Sequence, residues 1–167
     1  ASVAAEPIAI GSNRELFLDN HVIEKISGDA QLALQQPVPQ KVALVTGAPW
    51  EGNTCAYYTV FADTDASGKA IFRMYYRGSN YNRKRRDQTH RQVVCYAESR
   101  DAIHWTKPKL GLIEFGGSRE NNIVWDGAGA HCFTPFKDTS PNCRPDARYK
   151  ALSQVHRSGR PHHAVQG

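Results

Sequence analysis

Two patterns that would place this chain in a familiar class are missing from its sequence. No stretch reaches the ~18 consecutive apolar residues of a membrane-spanning helix, so we expect no membrane as partner. The cysteines form no Cys-x-x-Cys or Cys-x-x-His pair, so we expect neither a metal site nor a cofactor. We interpret Cys55 and Cys95 as core thiols, whereas Cys132 and Cys143 would close a short loop in an oxidising compartment.

Helix-forming stretches are also scarce, and the chain is instead rich in residues that favour strands and turns. Its 167 residues are 40% hydrophobic, so it is long enough for one domain with a real core. Three Trp, seven Tyr and six Phe suit a pleated surface, and 13 Gly with nine Pro suit turns. The composition predicts an all-β protein.

The formal charge of +5 is concentrated in one segment. Residues 83–91 carry five basic side chains and one acidic one, so the rest of the chain is almost neutral. Basic residues interleaved with Tyr81 and His90 suggest polyanion binding, for which an anionic polysaccharide is a better candidate than nucleic acid. The plain alternative is a solvated hairpin loop.

The main organising feature is a strand–turn–strand unit at residues 57–76. Two aromatic, β-rich runs flank the polar turn Asp-Thr-Asp-Ala-Ser-Gly at 63–68. The pattern Thr-x-Phe-x-Asp-Thr at 59–64 returns at 134–139, and Arg73 then corresponds to Arg148. A strand unit that occurs twice indicates a repeat architecture.

Other segments complete the predicted sheets. We predict strands at 16–24 (two short strands around a turn), 31–37, 42–45, 55–62, 70–76, 92–99 and 110–115, with a hairpin loop at 78–91. The second copy of the unit begins at His131. Residues 1–14 are predicted to form a loose lead-in, 15–152 the domain, and 153–167 a polar tail.

Short strands with an internal repeat favour a β-propeller. Propellers close with ~4–8 blades of four strands each. This sequence supplies about one and a half blades and some N-terminal strands. We therefore expect a partial propeller that either belongs to a longer protein with further C-terminal blades or associates with copies of itself.

Several motifs between residues 14 and 152 carry a family resemblance. They are Leu-Phe-Leu-Asp-Asn at 16–20, Pro-Trp-Glu-Gly at 49–52, Phe-Arg-Met-Tyr-Tyr-Arg-Gly at 72–78, Cys-Tyr-Ala-Glu-Ser-Arg-Asp-Ala-Ile-His-Trp at 95–105, Leu-Gly-Leu-Ile-Glu-Phe at 110–115, Asn-Asn-Ile-Val at 121–124 and Pro-Asp-Ala-Arg-Tyr-Lys-Ala-Leu at 145–152. With them the chain resembles the N-terminal part of a five-bladed β-propeller glycoside hydrolase, in a group that includes families 32 and 43 and their bacterial relatives. The resemblance implies that an oligo- or polysaccharide binds at one end of a central channel.

The resemblance also implies cleavage of glycosidic bonds by paired carboxylates from different blades. The family's Asp-Pro context for the first carboxylate is absent, and the nearest candidates for catalytic residues are Asp19, Glu51 and Asp126. The general acid would lie beyond residue 167, so no complete acid–base pair can be named. The structural alternatives are an Asx-turn for Asp19, an ordinary turn residue for Glu51 and a turn cap for Asp126.

Three further side chains are candidates for saccharide binding. Trp50 offers an aromatic face to a sugar ring, although most aromatics in such a sheet lie in the core. His131 opens the predicted inner strand of the second copy and is placed to bond a sugar hydroxyl. Arg77, from the motif at 72–78, is the third candidate.

The sequence thus predicts an exported carbohydrate-active protein that resembles glycoside hydrolases. A non-catalytic carbohydrate-binding or assembly module is the alternative. The small residues at 1–5 resemble the remnant left by signal-peptide cleavage, which favours an extracellular or periplasmic location.

Overall fold

The computed structural model of the protein describes residues 6–154. The chain divides into two compact units, Ala1–Gln40 and Lys41–Gly167. This division after Gln40 differs from the predicted boundary after residue 14. The first five residues of the predicted lead-in, and residues 155–167 of the predicted tail, lie outside the described residues.

Strands dominate the regular structure of the second unit. Nine occur in its described part: β1 (Ala56–Thr64), β2 (Ala70–Gly78), β3 (Tyr81–Asn82), β4 (Asp87–Gln88), β5 (Val93–Ser99), β6 (Trp105–Thr106), β7 (Ile123–Trp125), β8 (Thr134–Lys137) and β9 (Tyr149–Leu152). Every pairing between them is antiparallel. Within residues 6–154 the helical segments are two 3-10 turns, Ala130–Cys132 and Pro145–Ala147, and no helix there could cross a bilayer. The all-β prediction is confirmed.

The principal sheet has the order β1-β2-β5-β6, and β7 also pairs with β5. Its three long strands are the ones that the sequence predicted at 55–62, 70–76 and 92–99, where aromatic and β-branched residues are dense. In β2 the core-facing side chains Met74 and Tyr76 alternate with more exposed ones. β5 is buried from Val93 to Ala97, so both of its faces are covered. The hydrophobic core consists of Met74, Tyr76, Val93, Cys95, Ala97 and Ile123.

The predicted hairpin loop at 78–91 joins β2 to β5 and contains a strand pair of its own. β3 and β4 pair Tyr81 with Gln88 and Asn82 with Asp87. Asn53 holds the base of this hairpin, since its Nδ2 donates to the Tyr81 carbonyl oxygen at 3.1 Å and its Oδ1 accepts the Tyr81 N–H at 2.9 Å. The loop is therefore an ordered hairpin.

The strands predicted at 16–24, 31–37 and 42–45 are not formed, so those predictions were wrong. The described backbone hydrogen bonds of the first unit are short-range turn bonds, such as that from Ile23 N–H to the Asn20 carbonyl oxygen at 3.1 Å. An apolar run becomes a strand only where a neighbouring strand satisfies its backbone groups. No described residue of the first unit, and none of residues 42–45 in the second unit, belongs to such a pair.

The strand predicted at 110–115 was also wrong. The structure has only an isolated bridge there, between Phe115 and Ser118. Gly111 and Gly116 have φ values of 70° and 61°, which turn the chain away from an extended path. The turns at these two glycines prevent the extended strand that the apolar pattern of residues 110–115 predicted.

Both copies of the repeated unit form antiparallel strand pairs, β1–β2 and β8–β9. In the first copy Phe61 pairs with Arg73, and in the second the corresponding Phe136 pairs with Lys150 instead of Arg148. The registers thus differ by two residues. A shift of two preserves which side chains share a face, because side chains alternate along a strand with a period of two.

A buried carboxylate ties the two strand pairs together. Asp63 of β1 has a fully buried side chain and accepts hydrogen bonds from Arg73 Nε and Lys137 Nζ at 2.6 Å each, and from the Tyr149 hydroxyl at 3.0 Å. Burial alone would raise the pKa of Asp63, but the hydrogen bonds from Lys137 and Arg73 outweigh it and hold that pKa well below its usual range. The ionised carboxylate therefore holds β8 and β9 against β1 and β2.

Candidate functional site

The six predicted site residues fall into three places. Asp19 lies in the first unit, Trp50 and Glu51 belong to a buried network beside β2, and Arg77, Asp126 and His131 lie in or next to one cavity. The structure therefore brings three of the six together.

Glu51 is fully buried, and both of its carboxylate oxygens are hydrogen-bonded. Oε2 accepts the Ala48 N–H at 2.8 Å, and Oε1 accepts the Tyr76 hydroxyl at 2.6 Å. Lys107 Nζ donates to both oxygens, at 2.9 and 3.0 Å. Burial and the bond to Glu51 raise the pKa of Tyr76 far above its usual range, so this phenol stays a donor. The arrangement is that of a structural carboxylate, and the predicted catalytic role of Glu51 stays a prediction.

Trp50 belongs to the same network. Its Nε1 donates to Asn122 Oδ1 at 2.7 Å, and Asn122 Nδ2 donates to the Tyr76 hydroxyl at 2.9 Å and to the Tyr96 carbonyl oxygen at 2.7 Å. Its indole packs against the core cluster. A Cβ at Gly78 would lie 2.4 Å from the Trp50 carbonyl oxygen, so the close approach of this turn to β2 requires glycine. Trp50 is therefore half-buried against the core, and its predicted role in sugar binding stays a prediction.

Asp19 forms the Asx-turn that was its structural alternative. Its Oδ1 accepts the His21 N–H at 2.8 Å, and the residue is exposed. Its catalytic role stays a prediction.

A cavity of about 290 Å³ lies where β4, the residues before β5 and the loop after β7 meet. The cavity is lined by residues 127–130 and by Gln88, Arg91, Gln92, Asp126, His131 and Gln154. β5 and β7 are antiparallel, with Val94 paired to Trp125, so the start of β5 and the end of β7 lie at the same edge of the sheet. That pairing brings Arg91 and Asp126 together although they are distant in sequence.

Asp126 is ion-paired inside this cavity. Arg91 Nε lies 2.7 Å from its Oδ2, and the two side chains are 49% and 31% exposed, so both remain open to a ligand. Arg91 also donates from Nη2 to the Glu114 carbonyl oxygen and lies over the Phe115 ring, 5.5 Å from its centroid. These contacts fix the guanidinium, and the guanidinium in turn fixes the carboxylate.

The His131 ring is in contact with the side chains of Gln92, Tyr57 and Arg77. Its Nδ1 lies 3.1 Å from Gln92 Oε1 and 3.2 Å from Arg77 Nη1. Its Nε2 lies 3.3 Å from the Tyr57 hydroxyl oxygen and 3.4 Å from Arg77 Nη1, so the guanidinium is close to both ring nitrogens. His131 thus presents a fixed ring edge to the cavity.

Tyr57 and Arg77 support the histidine from the β1 side. Tyr57 has φ 57°, a conformation that side chains other than glycine rarely adopt, and it lies in a bulge between Ala56 and Thr59. Its ring stacks under the Arg77 guanidinium at 4.7 Å and lies 5.2 Å from the His131 ring. Bulges of this kind often redirect a side chain next to a functional site. Here the bulge directs Tyr57 towards His131.

The sequence interpretation named Arg91 only as part of the basic segment 83–91 and did not single out Gln92. The signal that was present is their position directly before the central strand β5. In an antiparallel pair, the residues before one strand lie close to the residues after its partner strand. The sequence did not show that β5 pairs with β7, and this pairing places Arg91 and Gln92 in the same cavity as Asp126.

The described residues contain no group of three His, Cys, Asp or Glu side chains that could hold a metal ion. All four cysteines are free thiols, so the loop closure considered for Cys132 and Cys143 is not formed. Cys95 is buried and Cys55 packs against the core, and burial raises the pKa of both thiols.

Comparisons of the chain with protein-family models, curated proteins and solved structures found no match. The resemblance to five-bladed propeller glycoside hydrolases therefore stays a prediction. What the site does must be argued from its own geometry.

Proposed function

We propose that this chain belongs to a carbohydrate-active protein and that the cavity beside β5 binds a saccharide. The supporting observation is that Asp126, Arg91, Gln92 and His131 converge on one cavity of about 290 Å³. Sugar hydroxyls donate and accept hydrogen bonds at once. A carboxylate, a guanidinium and an amide in fixed positions match that pattern of donors and acceptors.

Binding without cleavage is the form of the proposal that the geometry favours. Cleavage needs two carboxyl groups about 5–9.5 Å apart. Among residues 6–154, Asp126 is the single carboxylate that lines the cavity, and its ion pair with Arg91 suits a fixed acceptor. Hydrolysis is the second candidate, favoured by the presence of Asp126 in the cavity, and it needs a general acid supplied from elsewhere.

The proposal also takes the principal sheet as one propeller blade and β8–β9 as the start of the next. Its support is that β8–β9 repeats the strand pair β1–β2 and is joined to it through Asp63. Further blades, or other copies of the chain, would cover the remaining sheet faces. A polymeric saccharide ligand would fit an extracellular or periplasmic protein.

Calorimetric titration of the full chain with neutral and anionic oligosaccharides tests binding, and release of reducing sugar tests cleavage. We expect binding without release. Asp126→Asn should weaken binding about 10- to 100-fold, because a hydrogen bond to a charged group contributes about 1.5–3 kcal/mol. The matched control is Glu120→Gln, since Glu120 is ion-paired with Lys109 outside the cavity.

Two results would overturn the proposal of a saccharide site. One is the absence of binding for every saccharide in the panel, and the other is equal affinity of Asp126→Asn and the unchanged chain. Release of reducing sugar that disappears in Asp126→Asn would establish the hydrolytic candidate instead.

A further inference from the structure

We infer that the saccharide is anionic and that the basic hairpin, residues 81–88, binds its sulfate or carboxylate groups next to the cavity. This inference rests on the proposed saccharide site and names the class of its ligand. β4 belongs to both features, because Gln88 lines the cavity and Arg86 stands two residues before it at the hairpin turn. A saccharide chain with one unit in the cavity would therefore extend along the hairpin.

The turn of the basic hairpin exposes four consecutive cationic side chains. Arg83, Lys84, Arg85 and Arg86 are all exposed. Arg85 has Asp87 as an ion-pair partner at 3.3 Å, whereas within the described part of the chain the other three have none. Three unneutralised cations on a small turn are available for an anion that carries several charges.

The backbone beneath these side chains is fixed before any ligand arrives. Asn82 Oδ1 accepts the N–H groups of Lys84 and Arg85 at 3.0 Å each, and the Asn82 carbonyl oxygen accepts the Arg86 N–H at 2.8 Å. Arg86 has φ 58°, which closes the turn. Because the loop is already ordered, binding costs little further backbone entropy.

The charges of the cavity are compatible with an anionic ligand. Its carboxylate, Asp126, is paired with Arg91, and Arg77 contacts the cavity histidine. The cavity therefore adds no unpaired negative charge that would repel a sulfate or a carboxylate. A sugar with charged substituents would be bound by the ion-paired groups of the cavity and by the cations on the hairpin.

A nucleic acid is the competing polyanion, and the hairpin suits it less well. Proteins that bind single strands combine basic grooves with aromatic side chains on which successive bases stack. Residues 81–88 contain one aromatic residue, Tyr81, at the base of the hairpin and not at its cationic turn. The recognition groups there are cations without stacking surfaces.

The test compares heparin and polygalacturonate with neutral dextran and with single-stranded DNA, all titrated into the full chain over a range of salt concentrations. The variant Arg83→Ser/Lys84→Ser/Arg86→Ser removes the three unneutralised cations of the turn. The matched control Arg14→Ser/Lys25→Ser/Lys69→Ser removes three exposed cations elsewhere. Circular dichroism confirms that each variant remains folded.

We expect an anionic glycan to bind more tightly than dextran, with affinity that falls as salt rises. Between roughly 50 and 200 mM salt, the unchanged chain should lose about 20- to 40-fold more affinity than the hairpin variant does. This magnitude is taken by analogy with three phosphate contacts. The control variant should behave like the unchanged chain. These results together would support the inference.

Other outcomes overturn it in distinguishable ways. Equal binding of neutral and anionic glycans, or no effect of the hairpin variant, rejects the anionic ligand and leaves the saccharide site standing. Tighter hairpin-dependent binding of DNA than of any glycan assigns the hairpin to nucleic acid. If no glycan binds at all, the proposed function fails together with this inference.

Discussion

Replacement of Glu51 by Gln distinguishes a structural carboxylate from a catalytic one. Glu51 has no exposed surface, and its partners are Lys107, Tyr76 and the Ala48 N–H. Removing one member of a buried ion pair typically costs about 3–5 kcal/mol. The Lys107 side chain is 29% exposed and recovers part of its hydration, so we expect a loss of about 3 kcal/mol in the free energy of unfolding.

The double variant Glu51→Gln/Lys107→Met sharpens this prediction. It removes both charges, so no buried charge is left without a partner, and we expect it to recover at least about 1 kcal/mol relative to the sum of the single variants. Urea unfolding followed by tryptophan fluorescence measures all of these variants, since Trp50 belongs to the same network. Glu120→Gln is the surface control and should leave the unfolding midpoint unchanged.

Several results would contradict the structural role of Glu51 or its pairing with Lys107. If Glu51→Gln unfolds within about 0.5 kcal/mol of the unchanged chain, Glu51 does not stabilise the fold and the structural reading is wrong. If the double variant equals the sum of the single ones, Lys107 is not the partner on which the carboxylate depends. A stable Glu51→Gln that loses hydrolytic activity would restore the catalytic prediction.

Two further predictions concern the packing of the sheets. The folded-state pKa of Asp63 lies below its unfolded value of about 3.9, so its ion pairs stabilise the fold above that pH and the contribution is lost as pH falls through the folded pKa. Acid unfolding below about pH 4 should therefore be steeper in the unchanged chain than in Asp63→Asn, and parallel curves would refute the ion-pair account. Gly78→Ala should lower the free energy of unfolding by about 1–3 kcal/mol, because the new methyl group would lie 2.4 Å from the Trp50 carbonyl oxygen, and an unchanged urea midpoint would show that the turn can move away.

Local composition was a good guide to the strands that carry the principal sheet. β1, β2 and β5 are runs in which aromatic and β-branched residues are dense, and each begins and ends within a few residues of its predicted bounds. The same guide failed at 16–24 and 31–37. Those segments have similar apolar patterns but find no partner strand among the described residues of their unit. Alternation shows that a segment is able to form a strand, and pairing decides whether it does.

The candidate site could be predicted only in part. Asp126, His131 and Arg77 were chosen from sequence and do come together, but Trp50 and Glu51 were chosen by the same reasoning and lie in a buried network. Nothing in the Trp-Glu-Gly turn itself separates a cavity carboxylate from a structural one. The difference arises from Lys107, which is 56 residues away and supplies the neutralising charge.

The sequence by itself determined that the chain is β-rich, that its positive charge is concentrated in one hairpin, and that one strand–turn–strand unit occurs twice. These properties depend on side chains close together in the chain, which set turn formation and strand propensity locally. Only the tertiary structure decided which carboxylate is exposed in a cavity and which is neutralised in the core. That outcome depends on strand order and register, because the β5–β7 pairing brings Arg91 next to Asp126. The residues near Asp126 in the sequence do not show which distant side chain will become its neighbour.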